Sequence, residues 1–144
     1  RGMPLKGEYY LHKRNIYKII YTSRGTDEIM VERLDNGKKQ TVVFAAFKHA
    51  FKRVWKVGDV AEIIGRSPRS IYRYERAGQI QKPVRYPDRF GRELRFYTKE
   101  EILDLLDSVS HIHQGRPRPD RRVVNNTLRS KAEVLETFRN RFEE

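Results

Sequence analysis

Between Val57 and Gly78 the sequence switches helix off and on so tightly that few local architectures suit it. Val57, Val60, Ala61 and Ile64 are apolar at offsets of 3, 4 and 7, which makes one stripe of a short helix. Gly65 suits a left-handed stop. Ser67-Pro68 then restarts a helix, with the serine hydroxyl as N-cap and proline in the first turn, where its missing N–H costs nothing. This second helix is predicted over 69–77 and ends at Gly78. Ile71 and Tyr74 share a face suited to packing on Val60 and Ile64, leaving Arg69, Ser70, Tyr72, Arg73 and Arg76 outward. Two short helices joined by a three-residue turn make a helix-turn-helix whose second helix presents arginines.

Downstream, residues 82–97 have two arms of β character around a tip containing Asp88 and Gly91, and they read as a hairpin wing. Thr98 with Glu101 forms a capping box that opens an amphipathic helix through Val109. From Arg66 to Arg95 nine basic residues (Arg66, Arg69, Arg73, Arg76, Lys82, Arg85, Arg89, Arg92, Arg95) face only Glu75, Asp88 and Glu93. A basic block inside a folded region, with tyrosines between the arginines, suits contact with phosphates.

The order helix, turn, helix, wing, helix resembles the DNA-binding domain of the MerR superfamily over residues 55–109. The matching residues are Val57-Gly58-Asp59-Val60-Ala61, Ser67-Pro68-Arg69-Ser70-Ile71, Tyr74-Glu75-Arg76, Gly78, Ile80, and Arg95-Phe96-Tyr97-Thr98 with Glu101. The Ile71-Tyr72-Arg73-Tyr74-Glu75 core exchanges Arg and Tyr relative to the regulators' usual order. It looks more like the excisionase-type and recombinase-associated branch. The resemblance implies that the second helix enters the major groove, with Arg69, Ser70 and Arg73 as groove candidates and Tyr72 on a phosphate. It also implies that Arg92 and Arg95 serve the wing. Two departures stand out: the chain has no cysteine, and it carries a β-rich N-terminal extension that the family pattern does not predict.

That extension supplies about four short strands. They are expected near 8–11, 16–21, 28–34 and 39–44, with Asp35-Asn36-Gly37 as a hairpin turn whose two central residues tolerate positive φ. The strands form a small meander or an SH3-like barrel, with a helix-like 45–51 as its lid. Lys13, Arg14, Lys18, Lys38 and Lys39 are candidate phosphate contacts there. After residue 110, Gly115 to Arg122 holds four arginines and two prolines, too many for helix or sheet, and residues 111–122 read as a linker. Gly115-Arg116-Pro117 partly resembles an AT-hook, which would lay Arg116 and Arg118 along a minor groove. His111 and His113 read as a surface pair rather than metal ligands. Residues 130–142 end as a helix with Val134, Leu135, Phe138 and Phe142 on one stripe. Such a stripe docks on a protein surface, and the linker's reach favours a second copy or another protein over its own chain.

The fold class expected is therefore α+β: a β-rich N-terminal domain (1–52), a winged helix-turn-helix (53–110), a basic linker (111–126) and a C-terminal helix (127–144). Thirty-one Lys and Arg against nineteen Asp and Glu leave a net charge of +12 over 144 residues. No run approaches the roughly 18 apolar residues of a membrane span, and no signal peptide opens the chain. Arg1-Gly2-Met3 reads as a start at Met3 behind a tag remnant. The lack of cysteine excludes disulfides, thiol catalysis and cysteine-ligated zinc or iron–sulfur sites. There is no phosphate-cradling glycine loop, no nucleophile with a plausible histidine partner and no HExxH; Asp104 and Asp107 read as a solvated face. No cofactor and no catalysis are expected. The partner expected is double-stranded DNA, met by Arg66, Ser67, Arg69, Ser70, Tyr72, Arg73, Arg76, Arg85, Arg89, Arg92, Arg95, Arg116 and Arg118, in the cytoplasm at the nucleoid. The role expected is that of a bacterial or phage transcriptional regulator. The alternatives are an excisionase-like or DNA-packaging factor, and a structural or adaptor protein binding RNA or acidic proteins.

Overall fold

Alternating β-formers in the first third of the chain fold as an antiparallel meander. β1 (Tyr9–His12), β2 (Asn15–Ser23), β3 (Glu28–Arg33) and β4 (Lys39–Val43) each pair with the next. The computed structural model describes residues 3–114 and 128–141. After β4 come α1 (Phe44–Ala50) and then β5 (Lys52–Lys56), which returns to lie antiparallel to β1. The sheet order is β4-β3-β2-β1-β5-β7-β6, where β6 (Arg85–Pro87) and β7 (Glu93–Tyr97) form a later hairpin. The remaining helices are α2 (Val57–Ile64), α3 (Pro68–Arg76), α4 (Lys99–Gln114) and α5 (Lys131–Arg141). The fold is mixed α+β.

Two compact units result: a β unit of residues 1–55 and 84–98, and a helical unit of residues 56–83 and 99–144. The expected domain boundaries placed the 82–97 hairpin with the helix-turn-helix. Instead it continues the N-terminal sheet, because its apolar face needs that sheet. Phe96, 2% exposed, packs with buried Ile16 and Val54, and Tyr9, Leu11, Leu34, Tyr86 and Leu94 close the cluster. The Phe96 ring lies 5.2 Å from that of Tyr9 and 6.1 Å from that of Tyr86. On the other face Tyr17, Ile19, Ile29 and Val31 pack under Phe47 and Phe51 of the α1 segment. The sequence reading had no strand at β5, since Lys52-Arg53 interrupts its alternation. Arg53 is accommodated by an ion pair with Glu8 at 2.7 Å and by lying over the Trp55 ring at 4.9 Å.

Two turns depart from expectation. The β3–β4 connection places only Gly37 at positive φ (73°), and Asn36 instead accepts the Lys38 N–H through its side chain at 2.9 Å. The turn with both central residues at positive φ is the β1–β2 connection, made by Lys13 (49°) and Arg14 (67°). This is type I′ geometry, which favours Asn-Gly, and each side chain here costs about 1–2 kcal/mol in the left-handed region.

In the helical unit the local punctuation behaves as its residues require. Gly65, at φ 86°, ends α2 and donates to Ala61 O at 2.9 Å. Ser67 Oγ accepts the Ser70 N–H at 3.1 Å, and Gly78, at φ 73°, follows α3. Ile71 and Tyr74 are buried, as are Val60 and Ile64. α4 runs four residues past the expected start of the linker, to Gln114.

α5 corrects the expectation that the terminal stripe serves a second molecule. Val134 (0% exposed) and Phe138 (1%) are buried within the helical unit, where α5 packs on α2 and α4. Burying such side chains is worth about 1.5–3 kcal/mol each, which the chain's own core supplies. Phe142 lies outside the described residues. A reciprocal capping box starts the helix: Ser130 Oγ accepts the Glu133 N–H at 3.2 Å, and Glu133 Oε1 accepts the Ser130 N–H at 2.8 Å. The Ser130 N–H first, and then the Ser130 hydroxyl, hold the Glu133 carboxyl below its ordinary pKa. Just before it, Arg129 donates from its backbone to Ile64 O (2.9 Å) and from Nη1 to Glu62 O (2.8 Å), satisfying carbonyls at the C-terminal end of α2.

Candidate nucleic-acid interface

On α3 the buried positions Ile71, Tyr74 and Glu75 turn inward, leaving Arg69, Tyr72, Arg73 and Arg76 exposed. These four sit at i, i+3, i+4 and i+7, one continuous outward stripe. The only acid on the helix, Glu75, is 4% exposed, so no carboxylate interrupts the stripe. Pro68 at the helix start and the Ser67 cap fix where α3 begins, and thereby the direction of each arginine.

The other candidates of this unit are engaged locally. Ser67 and Ser70 share a hydroxyl–hydroxyl hydrogen bond of 3.0 Å besides the cap itself. Their first role is to build the helix start. Arg66 is half-buried and donates from Nη1 to Gly65 O at 3.1 Å, bracing the turn between α2 and α3.

Arg85, Arg89, Arg92 and Arg95 belong to the β unit, so the basic run is divided between the two units. The hairpin register sets Arg85 directly opposite Arg95, giving two like charges on one face. Its tip is organised by Asp88, 7% exposed. Asp88 Oδ1 accepts the N–H groups of Phe90 and Arg92, each at 2.9 Å, and Oδ2 accepts Arg92 Nε at 2.9 Å. Burial works against ionisation of Asp88, but the two N–H bonds and the Arg92 guanidinium outweigh it and lower its pKa. Gly91 (φ 85°) completes the turn. Arg89 reaches toward Glu32 of β3 at 3.7 Å.

Phe90 is the residue that reading the sequence missed. It is 71% exposed, with the Arg89 and Arg92 guanidinium groups 5.2 and 5.8 Å from its ring centre. The available signal was a large apolar residue in a four-residue tip, Asp88-Arg89-Phe90-Gly91, that no alternation requires. Arg116 and Arg118 lie outside the described residues. No described helix is long and apolar enough to cross a membrane. His111, far from these arginines in sequence, has Nδ1 2.9 Å from Asp107 O.

Compared with protein-family models, with curated proteins and with solved structures, the chain matches none.

Proposed function

We propose that the protein binds double-stranded DNA with sequence preference, as a transcriptional regulator of a bacterium or phage. In this reading α2 and α3 act as a helix-turn-helix, with α3 in the major groove. The observation that carries it is the uninterrupted outward stripe of Arg69, Tyr72, Arg73 and Arg76 on a capped helix whose one carboxylate is buried. A helix about 10–12 Å across fits a major groove about 12 Å wide, and an arginine there donates two hydrogen bonds to guanine. The net charge of +12 supplies sequence-independent attraction to the polyanion.

The hairpin serves as the wing. Arg85 and Arg95, opposed in register, hold a phosphate between them, and Phe90 enters the minor groove as an apolar wedge between Arg89 and Arg92. The MerR-like motifs support the same assignment. The wing of this chain, however, grows from an N-terminal meander whose strand order and α1–β5 return support an SH3-like reading of residues 1–55.

The test is selection of a preferred site from random duplexes, followed by binding of variants at several salt concentrations. Arg73→Ala should cost about 1–3 kcal/mol on the selected site and far less on random duplex, as a base contact does. Arg89→Ala should weaken both about equally, as a backbone contact does. Equal effects of the two variants on selectivity would remove α3 as the reading helix. Tighter binding to RNA than to any duplex would favour the adaptor reading instead.

A further inference from the structure

The β unit gathers a second concentration of positive charge, away from the α3 stripe in sequence and unlike it in form. Its centre is the two-residue Lys13-Arg14 turn, held in the left-handed region at both positions and braced by Asn15 Nδ2 donating to Lys13 O at 3.2 Å. Turn chemistry alone would select Asn-Gly here, so two long cationic side chains are kept against local preference.

The neighbours of this turn share its sign. His12 has Nδ1 3.1 Å from Ala50 O and stacks on Phe51 at 4.5 Å between ring centres, tying the turn to the C-terminal end of α1. The last turn of that helix carries Lys48 and His49, and Lys52 pairs in register with Leu11. Leu34 N donates to Ile16 O at 2.8 Å, which brings the β3–β4 connection, with Lys38 and Lys39, to the same end of the sheet. Lys13, Arg14, Lys38, Lys39, Lys48 and Lys52 are all exposed. The nearby carboxylates are occupied: Asp35 by Arg33 at 2.7 Å, and Glu32 by Arg89 at 3.7 Å.

Apolar side chains decide what such a surface fits. A protein interface needs an aromatic or aliphatic anchor, and a membrane-surface helix needs an apolar face to insert. The large exposed apolar residues among those described are Leu5, Tyr21, Val43, Tyr72, Val84 and Phe90. Only Phe90 adjoins this surface, on the hairpin tip whose Arg89 lies against Gly37 of the β3–β4 connection; none lies on the β1–β2 turn or the last turn of α1. A phosphodiester backbone is met by cations and hydrogen-bond donors and needs no apolar anchor.

We propose that this end of the β unit grips the nucleic-acid backbone through phosphate contacts, without reading bases. The inference takes its ligand from the duplex-binding reading above. Its test uses the full chain with Lys13→Asn and Arg14→Gly together, titrated against a random-sequence duplex of about 30 base pairs over a range of salt. Because Asn-Gly suits the turn, Tm should rise by several degrees. Binding should nonetheless weaken about tenfold at low salt, with the slope of log K against log salt shallower by about 2. Discrimination between selected and random sites should not change. Lys38→Gln with Lys39→Gln, two exposed lysines of the β3–β4 connection, leaves the Lys13-Arg14 turn intact and should weaken binding in the same way with little change in Tm. A higher Tm with unchanged affinity and slope, and no effect of the second pair, would overturn the proposal while leaving duplex binding in place. Failure of the unaltered chain to bind any duplex would remove both.

Discussion

The arginines of α3 and those of the 84–98 hairpin come from one basic run of the sequence, yet the protein holds them in opposite ways. On α3, Arg69, Arg73 and Arg76 stand exposed along a short helix anchored by a serine cap and an apolar face. On the hairpin, Arg92 is bonded to Asp88 at 2.9 Å, Arg89 faces Glu32 at 3.7 Å, and both flank the Phe90 ring. Long exposed side chains lose rotamer entropy when they engage a ligand, whereas a tethered guanidinium has lost part of it on folding. In the proposed duplex-binding reading, the first arrangement suits adaptable contact with base edges and the second a preset grip on a backbone.

The cores beneath the two surfaces give the most severe way to separate them. Phe138→Ala empties a side chain 1% exposed, and Phe96→Ala one 2% exposed; each should cost about 3–5 kcal/mol. Hydrogen exchange should show Phe138→Ala loosening α2, α4 and α5, and Phe96→Ala loosening β1, β5 and the hairpin. Identical patterns of lost protection would erase the distinction between the units.

A smaller effect tests the helix start. Ser67→Ala removes the acceptor of the Ser70 N–H and should cost about 1 kcal/mol, read by chemical denaturation; in the proposed duplex-binding reading it should also weaken binding as the first turn of α3 frays. Unchanged stability would mean that Pro68 alone sets the start.

The mildest effect is confined to the hairpin tip and depends on pH. The folded pKa of Asp88 lies below its unfolded value, so its contribution is complete above the ordinary carboxylate pKa and is lost as pH falls through the lowered one. The Phe90 and Arg92 amide resonances should therefore hold steady at neutral pH and move only in strong acid. Asp88→Asn should abolish that movement and loosen the hairpin tip. Amides that shift near the ordinary carboxylate pKa would show that the Asp88 bonds do not persist in solution.

Much of the helical unit was legible because its signals are local. Gly65, Ser67-Pro68 and Gly78 each act within a turn of the chain, and the 3.6-residue period assigned Ile71 and Tyr74 inward and the arginines outward. The four strands of the meander were legible for the same reason. The ownership of the hairpin was not, because its alternation says only that one face is buried. That this face lies on Ile16 and Val54 follows from contacts between residues far apart in the sequence.

The same division holds for charge and for the last helix. Sequence alone determined the net charge of +12, the stripe of Val134 and Phe138, and the cationic content of the 66–95 run. It had no means of saying that Arg129 caps α2, that α5 is buried in its own unit, or that Lys13 and Arg14 stand at one end of the sheet with Lys38, Lys39 and Lys52. Propensity and periodicity act over one or two turns, while burial and electrostatics depend on whatever the folded chain brings alongside, and only the tertiary structure decides that.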